Sequence, residues 1–140
     1  MIAYFDTSAA IPLLIGEPPS AICTRLRNEA THSISARLLY PEARAALARA
    51  ERMGRISKRQ QNAAVAELEA IIVEIDHVEI SEDLARYAGE RAHAHQLSGY
   101  DAVHLAAAIA APDAELVLVT GDHGLAGAAR SLGVSVALTS

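Results

Sequence analysis

The sequence predicts an α/β fold in which helices cover both faces of one parallel sheet. Short apolar segments alternate along the chain with longer helical patterns, and strands that are separated by helices pair in parallel. Hydrophobic residues make up 51% of the chain and charged residues 21%, which is the profile of a globular protein. Since 140 residues suffice for one sizeable core, we expect a single domain over residues 1–140.

The N-terminal part is predicted to form a strand, two helices and a second strand. Ile2–Phe5 is an apolar run before a turn-prone Asp-Thr-Ser, as expected for a buried strand. A short helix is expected over Ala9–Ile15, because Gly16 and two prolines follow it. Ser20–Glu29 is predicted to form the next helix, and His32–Ser35 is a candidate strand.

Two longer helices are predicted in the middle of the chain, Ala36–Met53 and Ser57–Val73, with Gly54 between them. The second begins with Ser57–Gln60, which has the form of a capping box. Pro41 is unusual inside the first of these helices. It either kinks the helix, because it removes one hydrogen bond, or marks the true start.

The C-terminal half continues the alternation of strand and helix. Its helical segments are amphipathic or rich in alanine, and its strands are short apolar runs. The predicted segments are strand Glu74–His77, helices Ser81–Gln96 and Tyr100–Ala110, strand Leu116–Thr120, helix His123–Arg130 and strand Val134–Leu138.

Composition and charge disfavour some classes of nucleic-acid-binding protein. Aromatic residues make up only 4% of the chain, which argues against a sheet that stacks bases on its face. The formal net charge of −5 has the wrong sign for a protein that coats duplex phosphates. A nucleic-acid substrate is compatible with this charge if some of the acids hold cations.

No segment of the sequence predicts export or insertion into a membrane. The N-terminus lacks a basic region, and its apolar run stops at Asp6. The Ala-rich stretch Ala102–Val119 contains His104 and Glu115, so it is not expected to span a membrane. Cys23 is the single cysteine, which excludes an intrachain disulfide, and we expect a cytoplasmic protein.

Two acids come directly after predicted strands. Asp6 follows the first strand, and Asp122 follows the fourth. In open parallel sheets, ligands bind outside the carboxyl ends of the strands, so both acids are candidate site residues. Either acid could instead cap the helix that follows it, which is a common role for Asp.

Glu42 lies on a predicted helix with no base three or four residues away, so the usual ion pair along a helix is absent. The stripe around Glu42 predicts a core-facing side of this helix. The members of the stripe are Leu38, Leu39, Ala45, Ala46 and Arg49. Burying an unpaired carboxylate is costly, so Glu42 is expected to meet a cation.

Asp101 also lies on an apolar stripe, with His104, Leu105 and Ala108 as its helical neighbours. A capping box that begins at Ser98 is the structural alternative, and it places Asp101 at the third helical position. His104 is expected either to be a packed core histidine or to support Asp101 from one turn away. An Arg or a metal ion could neutralise Asp101 and Glu42.

The four acids can converge on one rim of the sheet. A carboxylate cluster without cations repels itself and raises its own pKa values. Ligation by carboxylates and water is what Mg²⁺ and Mn²⁺ prefer, and phosphate oxygens commonly complete the coordination of these ions. The pattern therefore points to phosphoryl chemistry.

Four motifs that contain these acids extend, in order, over most of the chain. They are Tyr4–Ala9, Tyr40–Leu47, Tyr100–Ala106 and Leu118–Asp122. Each motif alone is a weak signal, but the four together make the sequence resemble the PIN-domain family, and more narrowly the VapC-type toxin ribonucleases of type II toxin–antitoxin systems. The four acids fall where that family has its own.

This resemblance implies a three-layer α/β/α fold with a central parallel five-stranded sheet. It implies an Mg²⁺- or Mn²⁺-dependent endoribonuclease, which hydrolyses RNA phosphodiesters with metal-activated water. It also implies a homodimer, and an antitoxin partner whose C-terminal tail occupies the groove beside the acidic site.

The resemblance also implies roles for individual residues. Asp6 and Asp101 would be the principal metal ligands. Glu42 and Asp122 would complete the acidic pocket, through water or a second metal ion. Supporting hydroxyls are implied at three positions, Thr7, Ser8 and Thr120.

Two other functions stay open at this point. A phosphatase of the haloacid-dehalogenase type needs a second acid two residues after the first, where this chain has Ser8, and a lysine near the later acids. The only lysine is Lys58, which disfavours this reading. The other alternative is a non-catalytic binding module whose acidic pocket receives an Arg from a partner.

Basic residues crowd the junction of the two long helices. They either form a solvated helix hairpin or bind antitoxin or RNA, and the sequence favours neither interpretation. These residues are Arg44, Arg49, Arg52, Arg55, Lys58 and Arg59.

Overall fold

The computed structural model describes residues 1–111 and 115–140. Within these residues the chain forms five strands and seven helices. The strands are β1 (Ile2–Phe5), β2 (His32–Ala36), β3 (Asp76–Val78), β4 (Leu116–Thr120) and β5 (Ser135–Leu138). The helices are α1 (Thr7–Leu14), α2 (Ser20–Glu29), α3 (Leu39–Arg52), α4 (Lys58–Glu74), α5 (Glu82–His95), α6 (Gly99–Ala110) and α7 (His123–Ser131).

The strands form one sheet in the order β3-β2-β1-β4-β5, and every neighbouring pair is parallel. The chain builds β2 and β3 on one side of β1 and then returns to build β4 and β5 on the other side. The strand order therefore reverses between β1 and β4, which is where open α/β sheets bind ligands. The predicted parallel five-stranded sheet is confirmed.

Helices lie on both faces of the sheet. Successive residues of a strand point to opposite faces, so each strand places side chains in both layers of the core. Tyr4 and Leu118 face one side, where they pack in a cluster with Leu105 of α6. Phe5 faces the other side, in a cluster that includes Cys23 of α2. The three layers of the predicted α/β/α fold are therefore present.

Pro41 lies in the first turn of α3, which settles the alternative left open by the sequence. The helix begins at Leu39, so the predicted start at Ala36 is wrong. Ala36 is instead the last residue of β2. The first backbone N–H groups of a helix have no partner within the helix, so a proline in this turn removes no helical hydrogen bond.

The core face of α3 differs from the predicted stripe. Ala45 and Arg49 are exposed, so their assignment to the core is wrong. Glu42 lies beside the true core face, where it is only partly buried. The buried residues of the helix are Leu39, Ala43, Leu47 and Ala50. The helix packs on both α1 and α4, and these contacts decide its rotation.

Several helices begin with a side-chain cap. At the start of α4, Ser57 and Gln60 form the predicted capping box, with N–H to oxygen distances of 3.0 and 2.7 Å. Glu74 ends this helix, so β3 begins two residues later than predicted. None of the helices in residues 1–111 and 115–140 is long and apolar enough to cross a membrane.

Candidate active site

Asp6 lies directly after β1 and caps the first turn of α1. Its Oδ1 accepts hydrogen bonds from the backbone N–H of Ala9 (3.0 Å) and the hydroxyl of Ser8 (2.7 Å). Its Oδ2 accepts a third from the hydroxyl of Thr120 at the end of β4 (2.6 Å). Asp6 is only 2% exposed, and this burial raises its pKa despite the three hydrogen bonds.

Two hydroxyls join the ends of β1 and β4. Thr120 Oγ1 donates to Asp6 and accepts a hydrogen bond from the backbone N–H of Asp122 (3.0 Å). Ser8 Oγ accepts one from the backbone N–H of Gly121 (2.8 Å). These bonds hold Asp6 against the segment that leads into α7, which places two of the three predicted supporting hydroxyls beside the acids.

Asp122 caps α7, as the structural alternative from the sequence predicted. Its Oδ1 accepts a hydrogen bond from the backbone N–H of Leu125 (2.7 Å). Within the described part of the chain, no group donates to its Oδ2. The cap therefore uses one carboxylate oxygen and leaves the other available to a ligand.

Asp101 lies in the first turn of α6, at the third helical position. Its backbone N–H donates to the Ser98 hydroxyl (3.1 Å), which is the N-cap half of the predicted capping box. Burial raises the pKa of the Asp101 carboxyl, and the nearby charges of Asp122 and Asp6 raise it further. The Ser98 hydroxyl and His104 act in the opposite direction but do not cancel this effect. The three aspartates therefore interact electrostatically, although they come from three separate segments.

Glu42 of α3 is hydrogen-bonded to side chains of two other helices, α1 and α6. Its Oε1 accepts hydrogen bonds from the hydroxyl of Thr7 (2.6 Å) and from Nε2 of His104 (2.6 Å). Burial alone would raise the pKa of Glu42, but the hydrogen bonds from His104 and Thr7 hold it below its ordinary value. The side chain that contacts the Glu42 carboxylate is a histidine, 62 residues later in the chain.

His104 is a buried residue, as one alternative from the sequence predicted. It acts on the pKa of Asp101 through charge, but its hydrogen bonds in the described residues go to other side chains. Its Nδ1 lies 2.8 Å from the hydroxyl of Tyr4, and its Nε2 faces Glu42. Sequence reasoning missed Tyr4 and the link to Glu42. The sequence signal for these contacts was His104 itself, a polar ring in an Ala-rich helix that was expected to be buried. A buried ring nitrogen needs a hydrogen-bond partner, so polar partners from other segments could have been expected.

The comparison with protein families decides the identity of this fold. The family model of the PIN domain matches residues 3–131. The chain belongs to the PIN-domain family. It is 38% identical over 136 residues to ribonuclease VapC45 of Mycobacterium tuberculosis, a match that covers 97% of this chain and 94% of that protein.

Solved structures confirm that the chain has a PIN-domain fold. VapC20 of Mycobacterium tuberculosis, a toxin that cleaves the sarcin–ricin loop, superposes with a TM-score of 0.71 at 20% identity, covering 90% of this chain and 94% of its own. VapBC-5 of the same organism, a member of the VapBC family of toxin–antitoxin systems, superposes with a TM-score of 0.64 at 17% identity. That match covers 98% of both chains.

The donor groups of this PIN domain fit a hydrated divalent cation better than a closed protein cage. Across residues 1–111 and 115–140, no three His, Cys, Asp or Glu side chains form a group that holds a metal ion by themselves. Mg²⁺ seldom needs such a cage, because it keeps several waters and takes one or two carboxylates together with substrate phosphates. The neighbouring carboxylates of Asp6, Asp101 and Asp122 have the oxygen chemistry that such a cation prefers.

The basic residues at the junction of α3 and α4 lie on the surface of the PIN domain. In the described residues they form no ion pair, and Arg44 lies over the ring of Tyr40 at 5.7 Å. Their exposure is compatible with both a solvated hairpin and a binding surface. The exposed members are Arg44, Arg49, Arg52, Arg55, Lys58 and Arg59.

Proposed function

We propose that residues 1–140 form a single PIN domain that acts as a metal-dependent endoribonuclease, the toxin of a toxin–antitoxin pair. One observation carries the proposal: carboxylates from distant segments gather at the carboxyl ends of β1 and β4, and the pKa of Asp101 is raised by burial and by its neighbours Asp122 and Asp6. Such a cluster is stabilised by a cation, and a phosphodiester brings the oxygens that complete its coordination.

The residues of the site have distinct proposed roles. Asp6 and Asp101 hold the cation, and Asp122 offers its free Oδ2 beside them. Glu42 completes the acidic pocket toward the cation, through water or a second ion, while Thr7 fixes Oε1 of its carboxylate. A bound Mg²⁺ or Mn²⁺ supplies the lowered pKa of water and the charge neutralisation that phosphodiester hydrolysis requires.

Ser8 and Thr120 have a positioning role in this proposal. Their hydroxyls both donate to Asp6, at 2.7 and 2.6 Å, and they leave the carboxylate with one fixed orientation. Preorganised ligands of this kind lower the cost of assembling a metal site.

The names of the relatives support the proposed partners. VapC45 is named a ribonuclease, and VapBC-5 belongs to a toxin–antitoxin system, so RNA is the proposed substrate and a cognate antitoxin the proposed protein partner. We further propose a homodimer in the cytoplasm that uses Mg²⁺ or Mn²⁺. Bound cations would offset part of the net charge of −5 and so reduce the repulsion of an RNA substrate.

A cleavage assay tests the proposal. The purified protein is incubated with a pool of structured RNAs in Mg²⁺, in Mn²⁺ or in chelator, beside the variants Asp101→Asn and Asp83→Asn. Asp83 is an exposed acid on α5, so its variant is a matched control for loss of charge. We expect cleavage only with metal, loss of cleavage in Asp101→Asn, and wild-type cleavage in Asp83→Asn.

Two outcomes contradict the proposal in different ways. Undiminished cleavage in chelator rejects the metal mechanism. Binding of an Arg-bearing partner tail that depends on Asp101, with no cleavage of any RNA in either metal, supports the non-catalytic binding module instead.

A further inference from the structure

Tyr4, His104 and Glu42 form a continuous line of hydrogen bonds from the core of the sheet to the acidic site. Tyr4 is 0% exposed and His104 is 1% exposed, so no water competes for their polar atoms. The Tyr4 hydroxyl lies 2.8 Å from Nδ1 of His104, and Nε2 of the same ring lies 2.6 Å from Oε1 of Glu42. The two rings meet edge to face, with centroids 5.8 Å apart.

The acceptors around the ring fix where its protons are. Glu42 Oε1 is a carboxylate oxygen and can only accept, so Nε2 of His104 carries a hydrogen. Thr7 donates its one proton to the same Oε1, and its oxygen, 3.2 Å from Nε2, is left as a second acceptor. In the neutral ring, Nδ1 is then an acceptor, and Tyr4 is the donor that faces it.

The Glu42 carboxylate therefore has one oxygen that accepts hydrogen bonds and one that accepts none in the described residues. Oε1 takes the hydrogen bonds from Thr7 and His104, and no donor in the described residues binds Oε2. Two donors on the same oxygen restrict rotation of the carboxylate. Ligands of a metal site depend on such outer hydrogen bonds for their orientation.

We propose that His104 and Tyr4 are positioning residues, in which the Tyr4 hydroxyl anchors Nδ1 of His104 so that Nε2–H holds the Glu42 carboxylate in place for the cation. This proposal rests on the proposed function, because it assigns Glu42 to a metal-dependent site. The competing explanation is a buried polar pair that merely satisfies its own hydrogen bonds, with no effect on the cation.

The first test needs no metal. Long-range ¹H–¹⁵N NMR spectra of the wild-type protein identify the protonated nitrogen of His104. We expect hydrogen on Nε2, with this hydrogen protected from exchange with water. In Tyr4→Phe we expect faster exchange, because the ring loses its anchor. Hydrogen on Nδ1 alone, or equal protection in Tyr4→Phe, contradicts the proposal.

The second test measures Mn²⁺ binding by calorimetry. Since outer hydrogen bonds to metal ligands are worth about 10- to 100-fold in affinity, we expect about tenfold weaker binding in His104→Leu. His104→Gln keeps a donor near the position of Nε2, so its binding is expected to stay within about threefold of wild type because the hydrogen bond to Glu42 can still form. Tyr87→Phe is the control, because the described structure gives its hydroxyl no hydrogen-bond partner.

A double-mutant cycle of Tyr4 and His104 distinguishes a positioning role from an effect on stability alone, because it measures whether their effects on Mn²⁺ binding depend on each other. Tyr4→Phe is expected to weaken Mn²⁺ binding about threefold in the wild-type protein and to have no further effect in His104→Leu. Additive losses contradict the proposal, because Tyr4 would then not act through His104. If His104→Leu does not fold, the same cycle is measured with His104→Gln, in which the effect of Tyr4→Phe is expected to fall.

The outcomes for the two proposals are distinguishable. If Asp101→Asn abolishes Mn²⁺ binding while the His104 and Tyr4 variants bind it like wild type, the positioning proposal fails and the nuclease proposal stands. If the wild-type protein binds neither Mn²⁺ nor Mg²⁺, the nuclease proposal fails, and the positioning proposal fails with it, whatever the NMR spectra give.

Discussion

The two halves of the acidic site are stabilised in different ways. Asp6 and Glu42 accept hydrogen bonds from hydroxyls, a backbone N–H and an imidazole, and together they receive five. Asp101 and Asp122 receive fewer, and the charge of Asp122 raises the pKa of Asp101. The fold therefore provides donors for one half and leaves uncompensated negative charge on the other.

This difference indicates which acids depend on an external cation. Burial raises the pKa of Asp6, but four neighbouring groups act against it. In Asp101 burial and like charges act together. A cation that binds the cluster is expected to relieve mainly the repulsion between Asp101 and Asp122. Removing the charge of Asp101 should therefore change stability in the opposite direction to removing a hydrogen bond from Asp6 or Glu42.

The largest expected effect on stability is in the hydrogen-bonded half. Thr120→Val removes the donor to Oδ2 of Asp6 without changing the volume of the side chain much. Because a buried charged acceptor then loses its partner, we expect a loss of about 2 kcal/mol in the free energy of unfolding. Urea unfolding of the metal-free protein measures it. A loss within experimental error would indicate that water replaces the hydroxyl.

Asp122 allows the cap to be separated from the charge. Asp122→Ala removes the cap of α7 and should cost about 1 kcal/mol, whereas Asp122→Asn keeps an acceptor for the Leu125 N–H and should cost little. Both variants remove the charge beside Asp101, so both should weaken Mn²⁺ binding. Equal stability of the two variants would contradict the capping role.

Asp101→Asn should have the opposite effect on stability in the metal-free protein. Removing a carboxylate whose pKa is raised by burial and by two like charges relieves repulsion, so the melting temperature should rise slightly. Differential scanning calorimetry in chelator measures the shift. A lower melting temperature than wild type would mean that Asp101 stabilises the fold by its charge, and the comparison between the two halves would fail.

The smallest expected effect is a change in pH dependence. The folded-state pKa of Asp101 is raised, so the folded protein binds a proton more tightly than the unfolded chain. Its contribution to stability is therefore lost as pH rises from the unfolded pKa, about 4, through the folded one. The stability advantage of Asp101→Asn should shrink as the pH falls through this range. Unfolding curves at several pH values measure it.

The pKa of Glu42 is lowered, and the sign of its contribution is reversed. Its stabilisation is present above the unfolded pKa and is lost as the pH falls through the folded value. Glu42→Gln should therefore cost stability near neutral pH and much less in acid. The same cost at every pH would contradict the stabilisation of the ionised Glu42 carboxylate by its hydrogen bonds from His104 and Thr7.

The sequence predicts those features of the site that depend on local signals. The short apolar run before Asp6, and the caps at Asp6, Asp122 and Ser98, are set by residues within a few positions of one another. The alternation of strands and helices then implies the parallel sheet, which places Asp6 and Asp122 at the same edge. The resemblance to the PIN-domain family points to these two acids and also to Glu42 and Asp101.

The rest depends on packing between distant segments. The predicted core stripe of α3 is right at Leu39 but wrong at Ala45 and Arg49, because the rotation of that helix is decided by its contacts with α1 and α4. The link between Glu42 and His104 joins residues 62 positions apart, and that between Tyr4 and His104 joins residues 100 apart. Periodicity within one helix carries no information about such partners.

Thermal unfolding in increasing Mn²⁺ tests the central claim most directly. A ligand that binds only the folded state at 100 times its dissociation constant adds about 2.7 kcal/mol to stability. We predict that Mn²⁺ raises the melting temperature of the wild-type protein and leaves that of Asp101→Asn unchanged. An equal rise in both proteins, or no rise in the wild type, would contradict a cation site built on Asp101.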